Sequence, residues 1–171
     1  MTPQIGEGSS GEGTNQIRVS TVLGDRDGPV GTAFTTSLAT PSMGHSPFIV
    51  VAKPNLPVVP LTLLVPAVGV VAQRHAELTM GAAQAGVAAA VLDLKMDDPE
   101  GAHCLIASVW VGPDADGEEA VFANTRDAAI AALKLGAGGG PWHGHLTEID
   151  TPENPHFRSR QSVAPAQPPD S

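Results

Sequence analysis

The chain has 171 residues, 42% of them hydrophobic, which is enough for one compact domain with a core and leaves little room for a second. Its 18 acidic against 9 basic residues give a formal net charge of -9, a field that repels nucleic acid and anionic membrane. A single cysteine, Cys104, excludes an intrachain disulfide framework and fits a reduced compartment. Aromatic residues make up only 4%, with no Tyr, so base-stacking platforms are not expected and the core must be built from Val, Leu, Ile and Ala. The opening segment Met1 to Gly6 lacks the basic flank and apolar stretch of a secretory signal, and a cytoplasmic protein is expected. The most apolar stretch, Leu56 to Ala72, is interrupted by Pro57, Pro60 and Pro66 and falls short of the roughly 20 residues a membrane helix needs, so it belongs to a core.

Residues 1–10 read as a flexible N-terminus, with Gly6 to Gly13 rich in Gly and Ser. From Ile17 to Leu23 side chains alternate, Ile17, Val19, Thr21 and Leu23 on one face and Arg18, Ser20 and Val22 on the other, the pattern of a half-buried strand. Turn residues Gly24 to Pro29 follow, then helical spacing over about Pro29 to Ala39. The loop Thr40 to Pro47 leads to apolar strands over Phe48 to Ala52 and Leu61 to Val65. Val70 to Met96 is Ala-rich and long enough for helix, with Gly81 and Gly86 as points where it bends or splits. His103 to Gly112 reads as a further strand. Glu118 to Leu135 reads as a final helix, with Val121, Phe122, Ala129, Ile130 and Leu133 on its inner side. The order β-α-β-β-α-β-α predicts an α/β protein of the two-layer α+β kind. A mixed sheet is covered by helices, because the tight link between the second and third strands favours an antiparallel pair. Residues 11–135 form the expected domain, and 136–171 a Gly/Pro-rich, largely disordered tail.

Short motifs have bland explanations. Trp142-His143-Gly144-His145 has two imidazoles without a third ligand, and no metal site is expected. Gly136 to Gly140 follows a helix and carries no Lys-Ser/Thr, so it reads as a linker rather than a phosphate loop. The acidic run Asp114 to Glu119 lacks calcium-loop spacing and suits the positive end of a helix start. His45, His75 and His103 are separated in sequence and read as structural, and Cys104, inside an apolar run, as a buried inert thiol.

With these elements placed, the sequence resembles the formaldehyde-activating enzyme family. The likeness spans about Gly11 to Leu135. It is carried by Gly11-Glu12-Gly13, by Gly24 through Thr32-Ala33-Phe34, by Pro54-Asn55-Leu56-Pro57, and by Ala83-Gln84-Ala85-Gly86-Val87-Ala88 leading to Asp93. The resemblance implies a fold like the second domain of ribosomal protein S5, a homopentamer with ligand sites between subunits, and a lyase of one-carbon metabolism that condenses formaldehyde with tetrahydromethanopterin. It also implies a site in which Arg18 and Ser20 stand where the family has a His and an Asp. Ala67 and Gly69 stand where it has a Lys and a Thr, while Ile49 keeps an aliphatic contact and Gln84 is retained. Arginine holds its proton at ordinary pH and is a poor general acid, whereas a His of pKa about 6.5 suits that step. Tetrahydromethanopterin, or another pterin, is therefore not expected to be held in the family's manner. The chain reads as a divergent member, a repurposed carbon–nitrogen lyase or condensing enzyme for a small aldehyde, carbinolamine or imine. In that reading Arg18 and His45 are the catalytic candidates, and Ser20, Ile49 and Gln84 the ligand contacts. The other readings are a non-catalytic oligomer that binds a small anion or regulates a paralogue, and standard condensation with the missing groups supplied from elsewhere.

Overall fold

The computed structural model describes residues 1–138 apart from Asp97. Seven strands and four helices follow in order. They are β1 Gln4–Ser10, β2 Ile17–Asp25, α1 Pro29–Ala39, β3 Phe48–Ile49, β4 Val51–Lys53, β5 Leu56–Pro57, β6 Leu61–Pro66, α2 Gln73–Glu77, α3 Gln84–Asp93, β7 His103–Val111 and α4 Glu118–Ala137. A π-helical stretch, Leu78–Ala83, joins α2 to α3. The main sheet has the order β1-β2-β7-β6-β3, with β6 and β7 parallel and the other neighbours antiparallel, and β4 and β5 form a separate hairpin. This is an α+β fold with a mixed sheet. Among the described residues no helix is long and apolar enough to cross a membrane.

Alternation in β2 and β7 builds the larger core. Ile17, Val19, Leu105, Ala107, Val109 and Val111 point to one face, where Val87, Val91, Val121 and Ala129 of α3 and α4 close over them. On the opposite face α1 packs at one end, its Val30 and Phe34 against Leu63 and Cys104. Cys104 is 2% exposed, and burial pushes its thiol pKa up, which makes it an inert core residue.

The first ten residues correct the sequence reading. Gln4–Ser10 is a paired edge strand, running antiparallel to β2 from Gln4 opposite Leu23 to Ser10 opposite Ile17. Its glycines are the reason it docks. A Cβ on Gly6 would lie 1.8 Å from the Ala132 carbonyl oxygen, and one on Gly8 2.2 Å from that of Ala128, so bare backbone lets β1 lie directly against α4. The helical region Val70 to Met96 is interrupted, as its glycines led us to expect. Gly81 sits in the π-helical stretch, while Gly86 meets α4 so closely that a Cβ there would approach the Phe122 carbonyl oxygen to 2.6 Å. The final helix runs two residues beyond the expected Leu135, and its first turn holds Glu118 and Glu119 at the positive end as expected. The expected tail, including Trp142 to His145, lies outside the described residues from Gly139 onward.

Candidate functional site

Residues opposite each other in a sheet share a face, so the register defines rows across the face on which α1 packs. One row runs Ile5, Val22, Ile106, Leu63, Ile49; the next runs Glu7, Ser20, Ser108, Val65. A third row holds Ser9, Arg18 and Trp110, and Ala67 extends it on the β6 side, its N–H bonding the Val109 carbonyl at 2.9 Å. Val22, Ile106, Leu63 and Ile49 of the first row pack with α1, and so does Val65 of the second. Glu7, Ser20, Ser108, Ser9 and Arg18 of the other two rows are polar, and Trp110 belongs to neither core cluster.

The sequence-selected residues divide over this geometry. Arg18 and Ser20 lie two apart on one strand face, as alternation predicts. Arg18 is half-buried and engaged with other groups of the chain, and Ser20 is exposed. His45 comes from the loop between α1 and β3. A Ser42–His45 turn through Gly44 at φ 77°, together with a Val70 N–H to Gly44 carbonyl bond of 3.0 Å, holds that loop against the segment after β6. His45 Nδ1–H donates to the Pro66 carbonyl at 2.8 Å, which leaves Nε2 as the free acceptor of the neutral ring. A Cβ on Gly69 would sit 3.5 Å from that Nε2. Two strand spacings of about 4.8 Å separate β2 from β6, so Arg18 and the His45 end of β6 flank a shelf about 10 Å wide.

Ile49 shares the face but lies about 14 Å from β2, three strand spacings away, inside the apolar end beside α1. Gln84 is on the other side altogether. Its Oε1 accepts the Val51 N–H at 3.1 Å and its Nε2 donates to the Val51 carbonyl at 3.3 Å, so both ends of the amide brace α3 to the β4–β5 hairpin. Within one chain Gln84 therefore does not meet Arg18, Ser20 or His45. Trp110 and Ser108 were not selected from sequence. Alternation from His103 could have placed them on one face, but only the pairing with β2 puts them beside Arg18 and Ser20.

The remaining histidines hold structure. His75 is 2% exposed, its Nε2–H donating to the Val111 carbonyl at 3.0 Å while Nδ1 accepts the Val71 N–H. His103 donates through Nδ1 to Asp98 at 2.9 Å, with Nε2 3.6 Å from Asp25. Burial works against the Asp98 carboxylate, yet hydrogen bonds from the His103 side chain and from the Ala102 and His103 amides outweigh it and hold its pKa below the ordinary value. Near this cluster a cleft of about 760 Å³ opens between the start of α1 and the loop before β7, with Phe34, Leu61 and Cys104 among its lining. It lies at the far end of β2 from Arg18. Among the described residues no group of three or more His, Cys, Asp or Glu side chains is placed to hold a metal ion.

The fold and this face define a mixed-sheet α+β protein with a polar, histidine-flanked shelf on one side of its sheet. Residues 5–155 match the sequence profile described as "Formaldehyde-activating enzyme (Fae)", and the chain belongs to that family. It is 38% identical over 144 residues to the "Bifunctional enzyme Fae/Hps" of Methanosarcina barkeri, covering 81% of this chain and 36% of that protein. It is 37% identical over 164 residues to the protein of the same name from Methanococcoides burtonii, covering 93% of this chain and 40% of that one. A third, from Archaeoglobus fulgidus, is 35% identical over 139 residues, 78% of this chain and 35% of the relative. The chain thus spans little more than a third of the length of these relatives.

Proposed function

We propose that this protein is a repurposed condensing enzyme, a carbon–nitrogen lyase of one-carbon metabolism acting on a small aldehyde, carbinolamine or imine at the shelf between Arg18 and His45. The family match supports formaldehyde chemistry. The single observation that carries the site is the His45 imidazole, fixed by Pro66 with Nε2 next to Gly69. When an amine adds to an aldehyde, the C–N bond forms, the carbonyl oxygen takes a proton and the nitrogen loses one, giving the carbinolamine. Collapse to the imine then breaks the C–O bond: the hydroxyl takes a proton and leaves as water, and the iminium nitrogen gives up its remaining proton. In each step one proton passes from nitrogen to oxygen, and a single Nε2 that accepts it and hands it on serves both. Arg18 has five N–H donors in a fixed fork and would hold an anionic group of the substrate, with Ser20 beside it as a further donor.

The family's tetrahydromethanopterin does not fit these residues in the expected manner. Ala67 and Gly69 carry no polar handles, and the Gln84 amide is committed to Val51. The reading further includes a closed ring of five subunits and a cytoplasmic location.

The test follows carbon-13 formaldehyde and a carboxylated primary amine by NMR. The protein should raise the rate of carbinolamine and imine interconversion, and His45→Gln should lower the accelerated rate by about 10²-fold, the scale of a lost general acid–base. A rate equal to that without protein, or one indifferent to His45→Gln, overturns the reading. Anion binding that persists without turnover would favour the non-catalytic alternative.

A further inference from the structure

We propose that the cleft between the start of α1 and the loop before β7 is a second ligand site, which takes a small organic ammonium ion with a compact apolar body. It is separate from the shelf. The cleft begins at Asp25, seven residues along β2 from Arg18, roughly 23 Å at the rise of an extended strand. The inference goes beyond the proposed reaction and stands without it. At about 760 Å³ the cleft is in the range of small-molecule sites. Backbone contacts fix both of its walls. On one side α1 sits so close on the turn after β2 that a Cβ on Gly31 would lie 1.7 Å from the Arg26 carbonyl oxygen. On the other, Arg26 holds the loop before β7, its N–H donating to the Ala102 carbonyl at 2.8 Å and its Nη1 to the Gly101 carbonyl at 3.1 Å. The Asp98 carboxylate gathers the Ala102 and His103 amides of the same loop. A ligand entering between braced walls need not order either of them first.

The lining sets the class of ligand. Phe34 and Cys104, both buried, and the half-buried Leu61 give the cleft an apolar part. Three carboxylates, Asp25, Asp27 and Glu100, stand against the one guanidinium of Arg26, which leaves the lining a formal charge of −2. These carboxylates are not equivalent. Asp25 has His103 Nε2 3.6 Å away, whereas Asp27 and Glu100 are exposed and, among the described residues, neither is in an ion pair. They come from opposite walls, Asp27 from the turn before α1 and Glu100 from the loop before β7. A primary ammonium has three donors and can serve both. Arg26 and the positive end of α1 would favour an anion, but the Arg26 guanidinium is already bonded to Gly101 and the carboxylates outnumber it. A metal ion would make no use of Phe34 and Leu61, and among the described residues no group of three or more His, Cys, Asp or Glu is placed to hold one. An ammonium carrying an apolar body uses the carboxylates and the apolar lining together.

The experiment uses the full chain and reads binding by calorimetry. 2-Phenylethylammonium is the probe, 2-phenylethanol its neutral counterpart of the same shape, and methylammonium the cation without an apolar body. The first should bind saturably and about tenfold or more tightly than either of the others, the scale of one charge-assisted hydrogen bond or of the buried ring. Asp27→Asn and Glu100→Gln should each weaken its binding by about three- to tenfold, and together they should remove its advantage over the alcohol. Circular dichroism of these variants should match the parent's, because both side chains are exposed. Thr35→Phe, an exposed position of the lining, should fill the cleft and block the probe. Ser20→Ala, on the shelf, should change nothing. The inference is overturned by absence of saturable binding, by equal affinity for ammonium and alcohol, by a preference that survives the double carboxylate variant, or by binding that survives Thr35→Phe. If the double variant loses structure, Thr35→Phe alone decides. Binding that is lost in Ser20→Ala would move the ligand to the shelf and overturn the inference as well.

Discussion

Asp98 is a buried carboxylate whose hydrogen bonds tie the loop before β7 to the first residue of that strand. Its folded pKa is held below its unfolded value, near 3.9 for a free Asp, so the stabilisation is complete above that value and is lost as pH falls through the folded pKa. In urea titrations Asp98→Asn should lower the unfolding free energy at neutral pH by about 1–3 kcal/mol, because an amide offers one acceptor oxygen where three N–H groups converge. The same variant should lose less on acidification through pH ~4 than the parent does. Parallel acid profiles for the two proteins would assign the loop's stability to some other contact. Arg18 bears on a different question, since it is a cationic member of the shelf and is also engaged within the chain. Arg18→Ala is expected to abolish binding of carboxylate ligands with the fold intact, read by calorimetry beside circular dichroism. Lost structure or a split oligomer with ligand affinity unchanged would make Arg18 a structural ion-pair partner.

At the scale of elements, β1 and α4 meet backbone to backbone, and the test is steric. Gly8→Ala puts a methyl 2.2 Å from the Ala128 carbonyl oxygen, so strand and helix must part. A loss of about 1–3 kcal/mol, the usual cost of overpacking, is expected in thermal or urea unfolding. Gly81→Ala is the matched control, because a Cβ there meets nothing within 4 Å and a helical alanine is favoured over glycine by up to about 1 kcal/mol. Destabilisation is expected for the first substitution and neutrality or a small gain for the second; the reverse order would contradict the packing. The same contact explains what the sequence concealed. Alternation made β2 and β7 legible, and apolar runs located β6, because their patterns are local. In β1 the residues that permit docking, Gly6 and Gly8, are those that read as mobile when the Ala128–Ala132 surface they meet is 120 residues away. Gln84 was legible as a motif residue but not as a brace, since nothing nearby in sequence announces Val51 as its partner. Trp110 stayed hidden for a third reason: its place beside Arg18 is a fact of register, which a single strand pattern does not carry.

At the scale of the molecule, the described residues leave Val71, Met80 and Leu92 exposed at 62%, 50% and 56%. Met80 and Leu92 fall on the Ala- and Gly-rich region from α2 to α3, and Val71 just before it; the small side chains of that region let another backbone approach closely. Gln84 and the Arg18 face look to opposite sides of one sheet. A single chain therefore presents the selected residues in two separate places, and a ring is an arrangement in which one subunit's helical region can lie near the next subunit's sheet. Closure by a repeated head-to-tail contact gives each subunit the same interface, so a substitution in it acts at every junction at once. Light scattering of the parent protein should accordingly return a multiple of the 17.4 kDa chain mass, with five subunits expected. Met80→Glu and Leu92→Glu, each adding a charge where burial on assembly would leave it unpaired, should shift the distribution toward the chain mass. Their circular dichroism should match the parent's, because both side chains already face solvent in the isolated fold. A parent protein that runs as a stable monomer at micromolar concentration would remove the ring and leave the shelf as a site complete within one chain. A ring unmoved by either substitution would place the subunit contact on another surface.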